Sequence, residues 1–470
     1  MSAARPPAGA RTAVRSTEVA LGANPPPSLD AIRACFEGAI PAMMATCSED
    51  GTPNVAYISQ VWYVDQRHVA LSFQFFNKTR QNILANPRSA VLVMDPVVAA
   101  FYRLELRYLR TETEGPRFEG MKAQLAGIAS HSGMAGVFRL LGADIYEVEA
   151  IEALEGERLP LPPPRHGLLA GVRRSAERLA GCCATDELLQ AVLAVLNDQF
   201  DIRHAMVLMR DGATERLYTV ASCGYATSGV GSEIEIGHGV IGVAARECTP
   251  VRISHMTNAA SYSHAVRSSM REIEPGLVLD TEIPFPGLAE PHSQLAVPIV
   301  SSGRLLGALF VESPLDLRFG FEDEDALVAI AGHLGAALEL LRTSDEAAAA
   351  AAPPSPAPTP SGAPIAVRHY LANSSIFIGD SYLIKGVAGA IFGKLLREHT
   401  LQGRSEFSNR ELRLDPALRL PDLCDNLEAR LVLLQRRLQE NSPHIRIEKT
   451  GRGRFLLRVE RPVALTEIAG

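Results

Sequence analysis

Residues 344–364 cannot contribute to a folded core. The stretch holds a run of alanines and then Pro-Pro-Ser-Pro-Ala-Pro-Thr-Pro-Ser-Gly-Ala-Pro. Proline fixes φ and lacks an amide hydrogen, so such a segment is disordered or polyproline-like, a semi-stiff spacer. The chain must therefore fold as separate units on either side of it. A rigid helical lever across this spacer is not expected; coupling through proximity or dimer geometry is. A second proline run, Leu161 to Pro164, divides the longer N-terminal part again. With 470 residues there is room for roughly three domains.

Beyond the spacer, Leu427, Leu431, Leu434 and Leu438 fall at i, i+4, i+7 and i+11, an apolar stripe on one helix that Pro443 bars from continuing. Two alternating runs follow, Ile445–Glu448 and Phe455–Val459, around the basic turn Lys449-Thr450-Gly451-Arg452-Gly453-Arg454. Upstream, Ser408-Asn409-Arg410-Glu411 fits a capping box. Leu383, Ile384, Val387, Ile391 and Leu395 predict an earlier helix ending near Gly403, preceded by a strand at Ile376 to Ile378. Strand, helix, short helix, helix and a two-stranded basic wing make a winged helix-turn-helix.

This order resembles the DNA-binding domain of response regulators over roughly the last quarter of the chain. The resemblance implies a DNA-binding output with Arg430, Arg436, Arg437, Lys449, Arg452 and Arg454 as its cationic contacts. Residues 365–470 carry 17 Lys/Arg against 12 Asp/Glu, whereas the whole chain is at −7, so any nucleic-acid contact must be local to this unit. One feature points elsewhere. The face opposite the leucine stripe holds Asp425, Ala429, Val432, Leu433 and Arg436, and a helix reading the major groove wants Arg, Asn, Gln or Ser there. Docking on protein is the alternative use of the same fold.

Residues 28–160, after an Ala/Arg/Pro-rich tail at 1–27, read as mostly β. Strand patterns run at Ile40–Cys47, Thr52–Val64, Val69–Phe76, Ala90–Met94 and Ala143–Ala150, with Asp50-Gly51 as a hairpin signal and helical spacing at 118–141. Pro41-Ala42-Met43-Met44-Ala45-Thr46, Gly51-Thr52-Pro53-Asn54-Val55 and Ser72–Ile83 with Asn86-Pro87-Arg88 resemble the FMN-binding split barrel of the pyridoxamine 5′-phosphate oxidase-like family. Lys78, Thr79 and Arg80 offer an ammonium, a hydroxyl and a guanidinium, which suit a phosphate dianion. The resemblance implies that the FMN phosphate sits there with Asn82 nearby, and that Ser59, Gln60 and Val61 lie near the ring. An empty barrel is the other reading. The barrel ends in the acidic run Val148–Glu155, which would repel a phosphorylated substrate, so vitamin oxidation itself is not expected. A flavin-dependent oxidoreductase remains the rival to a sensor. No catalytic residue is named, and His131 is read as a surface or satisfied histidine rather than an acid–base group.

Residues 168–343 give a helical stretch to about 198, strands at His204–Met209 and Leu217–Cys223, Gly237–Arg246, Pro250–Ile253, Gln294–Ile299, Gly303–Val311 and a closing helix from Ala326 to about Leu341. These phrases resemble a GAF domain, which implies an antiparallel sheet with helices on it and a small-molecule pocket whose ligand is not readable. Cys223, Cys248 and His255 are its chemically interesting side chains, and 258–293 is a long insertion. The stripe Leu327, Ile330, Leu334, Leu338 and Leu341 is either the seam of a homodimer or the helix's contact with its own sheet.

The seven cysteines are scattered and odd in number, so neither a zinc ligand set nor a disulfide framework can be drawn. No segment reads as a signal peptide or a membrane span. The expected molecule is a cytoplasmic, multidomain α+β protein. It has an N-terminal antiparallel split barrel, a central GAF sandwich and a C-terminal winged helix.

Overall fold

The computed structural model describes residues 27–36, 41–74, 77–131, 139–160, 167–212, 214–253, 283–348, 362–418, 427–451 and 453–468. The tail, most of the 258–293 insertion, most of the spacer (349–361), His255, Cys424, Asp425 and Arg452 lie outside these residues. So do the side chains at the end of the helix that carries His131.

A short 3₁₀ turn at Asp30–Phe36 precedes β1 (Ala42–Cys47) and β2 (Pro53–Ile58), joined by the expected turn with Gly51 at φ +85°. Thr52–Val64, read as one strand, is two. The chain breaks at Ser59-Gln60, and β3 (Val61–Asp65) lies at the opposite edge of the sheet from β2. Then come β4 (His68–Phe73), α1 (Lys78–Ala85), β5 (Arg88–Met94), β6 (Phe101–Glu112), α2 (Pro116–His131) and β7 (Gly142–Ala153). The order β2-β1-β5-β6-β7-β4-β3 is antiparallel throughout. Met44, Leu71, Val91, Leu104 and Tyr146 fill its interior, while Trp62 and Ile145 pack against Met121 of α2.

The middle unit opens with two helices, α3 (Leu168–Ala180) and α4 (Thr185–Phe200), separated at Gly181, and the second starts at Thr185. Strands β8 (His204–Arg210), β9 (Arg216–Cys223) and β10 (Glu233–Glu235), helix α5 (Gly239–Glu247), then β11 (Val251–Ile253), β12 (Ser293–Ser301) and β13 (Arg304–Ser313) follow, closed by α6 (Phe321–Ala348). The sheet order is β10-β9-β8-β13-β12-β11. One face packs on α3, α4 and α6; the other packs on α5. The α6 stripe Leu327, Ile330, Leu334, Leu338 and Leu341 is buried in this unit's own core, so it is not a free dimer seam. Exposed Val328 and Leu340 mark a different face. Within α6, Phe321–Thr343 is long and apolar enough to cross a bilayer by length and composition, contrary to the sequence reading. In the fold that apolarity is what packs against β12.

In the C-terminal unit, Leu383 and Ile384 belong to a strand rather than to the helix expected there. Strands β14 (Ile365–Tyr370), β15 (Ser375–Ile378) and β16 (Ser381–Ile384) precede α7 (Gly386–Gln402). Next are β17 (Glu406–Ser408), α8 (Asn409–Leu414), α9 (Leu427–Asn441), β18 (Ile445–Gly451), β19 (Arg454–Val459) and β20 (Val463–Ile468). β20 returns to pair in parallel with β14. Ser408 caps α8 by accepting from the Glu411 amide at 3.3 Å, as the capping box predicts. Gly403 ends α7 at φ +66°.

His369 on β14 is 3 % exposed, and among the described residues neither ring nitrogen has a partner at hydrogen-bond distance. Burial depresses its pKa below 6.5, opposed by Glu467 at 3.8 Å and reinforced by Arg397. The unfolded chain therefore takes up this proton first as pH falls. The His369 contribution to stability is complete above about pH 6.5 and is lost below it. Acid titration of thermal stability should show this slope, and His369→Leu should flatten it.

Candidate functional site

The chemistry-bearing cleft lies where the N-terminus of α1 meets the ends of β4 and β7. Asn77 caps α1, its side chain accepting from the Arg80 amide, so the first turn is fixed relative to the strands. Met44, Ile58, Leu71 and Phe73 give the cleft an apolar wall; Ser59, Gln74, Asn77, Thr79, Arg80 and Asp144 supply its polar groups. Lys78 is exposed at the start of the helix. Thr79 accepts from Asn54 Nδ2 at 2.9 Å, which leaves its own hydroxyl hydrogen to donate. Gln74 Nε2 donates to Ser59 Oγ at 3.0 Å, and Gln74 Oε1 is buried with no partner among the described residues.

Arg80 departs from the expected picture in one respect. Its Nη1 donates to Asp144 Oδ2 at 2.5 Å and its Nη2 to Thr111 Oγ1 at 2.8 Å, while Thr111 also donates to Asp144 Oδ1 at 2.6 Å. The guanidinium stacks on Phe73 and Tyr108, 4.4 and 5.5 Å from the ring centroids. Arg80 and Asp144 side chains are 11 % and 6 % exposed. Burial pushes the Asp144 pKa up, while Thr111 and Arg80 pull it back. The Arg80 charge is thus already matched within the fold, and Lys78 is the cation left facing outward.

Of the other expected groups, Ser59 lines the cleft. Gln60 turns away from it, donating to Gln124 Oε1 on α2 at 2.8 Å. Val61 is in the barrel core. Asn82, 1 % exposed, donates to Thr46 Oγ1 at 3.1 Å and is a structural tie between α1 and β1. Sequence reasoning missed Asp144, Gln74 and Gln124. It also missed Glu312 in the middle unit, a 2 %-exposed carboxylate held by the Leu288 amide and by Gln294. Burial pushes the Glu312 pKa up. Cys223 is half-buried, and burial raises its thiol pKa.

The cations of the C-terminal unit meet the middle domain. Arg430 Nη2 lies 2.6 Å from Asp211, and its guanidinium is 3.9 Å from the centroid of the Tyr218 ring. Arg436 Nη1 donates to the Val220 carbonyl at 2.5 Å. Lys449 sits between Asp186 at 3.3 Å and Glu428 at 3.1 Å; burial works against its charge, but the two carboxylates outweigh it and its pKa is raised. Arg437 is turned inward, donating to the Leu383 carbonyl at 3.0 Å. Ala429, Val432 and Leu433 are buried, as are the leucines of the opposite stripe, so α9 is covered on both faces from Leu427 to Leu434. In this arrangement Arg430, Arg436, Arg437 and Lys449 are all engaged within the protein. Arg454 has a partner of its own.

Residues 28–152 match the family model described as pyridoxamine 5′-phosphate oxidase, and residues 184–338 match the GAF domain model. No curated protein matches the chain. Among solved structures, the GAF domain of an Acinetobacter phosphoenolpyruvate-protein phosphotransferase is 17 % identical, over 38 % of this chain and 97 % of its own, with a TM-score of 0.30. An FMN-binding protein from Syntrophomonas wolfei subsp. wolfei is 16 % identical, over 27 % of this chain and 89 % of its own, with a TM-score of 0.22. Free methionine-R-sulfoxide reductase from Neisseria meningitidis in complex with its substrate is 18 % identical, over 38 % and 91 %, with a TM-score of 0.29. The chain carries a pyridoxamine phosphate oxidase-like N-terminal domain followed by a GAF domain.

Proposed function

We propose that the chain is a flavin-binding, signal-sensing protein. FMN is held in the cleft at the start of α1, a second small molecule is read by the GAF domain, and the C-terminal winged helix is a DNA-binding output. The observation that carries the reading is the cleft. Its wall of Ile58, Leu71 and Phe73 suits a planar ring, and the orphaned Gln74 Oε1 wants a donor such as a ring N–H. Lys78 and the Thr79 hydroxyl are the groups that would hold the phosphate end, with Arg80 contributing only the charge that Asp144 leaves it. The flavin would supply the redox chemistry; the protein orients it and sets its surroundings. In the C-terminal unit, α7, α8, α9 and the β18–β19 hairpin follow in the order a winged helix requires.

A second reading has its own support. The apolar outer face of α9 suits protein better than a DNA groove, so the same unit could serve a flavin-dependent oxidoreductase as a docking module. The purified protein reconstituted with FMN should keep a flavin visible spectrum after desalting. Lys78→Ala should weaken retention roughly tenfold, the scale of one charge-assisted hydrogen bond. A colourless wild type overturns flavin binding. Steady-state oxidation of NAD(P)H would favour the oxidoreductase, and its absence would remove it.

A further inference from the structure

Three of the cations that the C-terminal unit turns toward the GAF domain are met by carboxylates, each from a different element; Arg436 meets the Val220 carbonyl instead. Asp186 of α4 faces Lys449, Asp211 of the β8–β9 turn faces Arg430, and Glu233 of β10 lies 3.4 Å from Lys385 at the start of α7. Around them Ser228 donates to Glu440 at 2.6 Å, and an alanine methyl at Gly231 would stand 3.6 Å from both Leu433 and the Arg437 stem. A cavity of about 240 Å³ remains in the seam, lined by Arg216, Glu233, Glu235, Tyr382 and Lys385. A nucleic-acid backbone would offer the same unit a comparable row of oxyanions, taken up by cations from a helix start, a helix face and a wing.

We propose that this acidic face of the GAF domain stands in for a phosphate backbone. It occupies the cationic side of the C-terminal unit, so docking on the GAF domain and binding a polyanion are mutually exclusive. The inference rests on the DNA-output reading and adds its regulation. Val432 and Leu433 set the default. Both are buried, and undocking exposes the outer face of α9, so the closed form prevails until the GAF surface changes. A signal that shifts β9, β10 or α4 acts directly on the seam, because those elements carry the Tyr218 ring, Glu233 and Asp186.

The test uses the full chain and a short mixed-sequence DNA duplex, with binding followed by anisotropy at low and moderate salt. Asp186→Asn, Asp211→Asn and Glu233→Gln together remove the carboxylates and leave every cation in place. This variant should bind the duplex about tenfold or more tighter than wild type, with a steeper salt dependence, and the α9 amides should exchange faster. A control carrying Glu49→Gln, Glu105→Gln and Glu152→Gln changes net charge equally on the barrel and should gain nothing. Adding Arg430→Ala to the seam variant should reduce the gain. If α9 exchanges faster but duplex binding is unchanged, the freed face is not a polyanion surface; this inference and the DNA output both fall, and flavin retention is untouched. If neither α9 exchange nor binding changes, the carboxylates do not hold the unit and the inference alone falls. An equal gain in the barrel control also overturns it.

Discussion

Replacing Asp144 with alanine is expected to destabilise the N-terminal domain by about 3–5 kcal/mol, the range for removing one partner of a buried ion pair. The reason is Arg80. Its guanidinium is 11 % exposed, walled by Phe73 and Tyr108, with Asp144 and Thr111 as its hydrogen-bond acceptors. Without Asp144 the charge stays buried and unmatched, and Thr111 loses its acceptor as well. Asp144→Asn keeps an acceptor oxygen for only one of the two neighbours and loses the charge, but it leaves no cavity and should cost less than alanine. The double replacement Arg80→Met with Asp144→Leu removes both charges and should come close to wild type. Trp62 is the only tryptophan and sits between the barrel sheet and α2, so its fluorescence in urea reports this domain selectively. The Asp144→Ala protein should also regain stability when phosphate or FMN is added, because the released guanidinium lines the cleft and a bound oxyanion would replace the lost carboxylate. A loss below about 0.5 kcal/mol, the level of an ordinary surface change, would mean that Arg80 does not depend on Asp144.

The same pair explains what could and could not be seen in the sequence. Lys78, Thr79 and Arg80 are contiguous, and their side-chain types announce an anion site. Asp144 is 64 residues away on β7 and reaches Arg80 only because β7 pairs with β4, whose end leads into α1. No local pattern encodes that pairing. Gln60 and Gln124 likewise meet across 64 residues. Local signals worked where the physics is local: the Asp50-Gly51 turn, the Ser408 cap, the Gly403 stop and the leucine stripe of α9. Thr52–Val64 failed because a run of β-formers does not show where a strand leaves one edge of a sheet for the other. Leu383 and Ile384 failed because a stripe read from the following helix extended one turn too far, across a strand end. The outer face of α9 was legible in composition: Ala429, Val432 and Leu433 opposite a leucine stripe mean a helix that wants burial all round. What covers it was not legible, since Arg430 and Asp211 are more than two hundred residues apart in sequence.

With that cover in place the GAF domain and the C-terminal unit are expected to melt as one cooperative body, and Gly307→Ala should test this. Gly307 lies on β13, the central strand that pairs with β8 on one side and β12 on the other. A methyl group there would stand 2.0 Å from the Leu208 carbonyl oxygen and 3.0 Å from its carbon. Those are backbone atoms held by the sheet, so no side chain can swing away and the strands themselves must part. Overpacking of this kind costs up to about 3 kcal/mol, which lowers a melting midpoint by roughly 6–12 °C in a domain of this size. The apolar core on the helical face of the sheet runs without a break from Leu309 and Ile330 to Leu433, Leu434 and Ile391. The barrel has separate cores of its own and meets the GAF domain through α2 against α5 and β11. Far-UV circular dichroism, dominated by α3 to α9, should therefore show GAF and C-terminal helices melting together at the lower temperature. Trp62 fluorescence should keep its wild-type midpoint. If the C-terminal helices instead retain their own higher transition while the GAF sheet melts, the two units are merely in contact and the seam is weaker than its buried leucines imply.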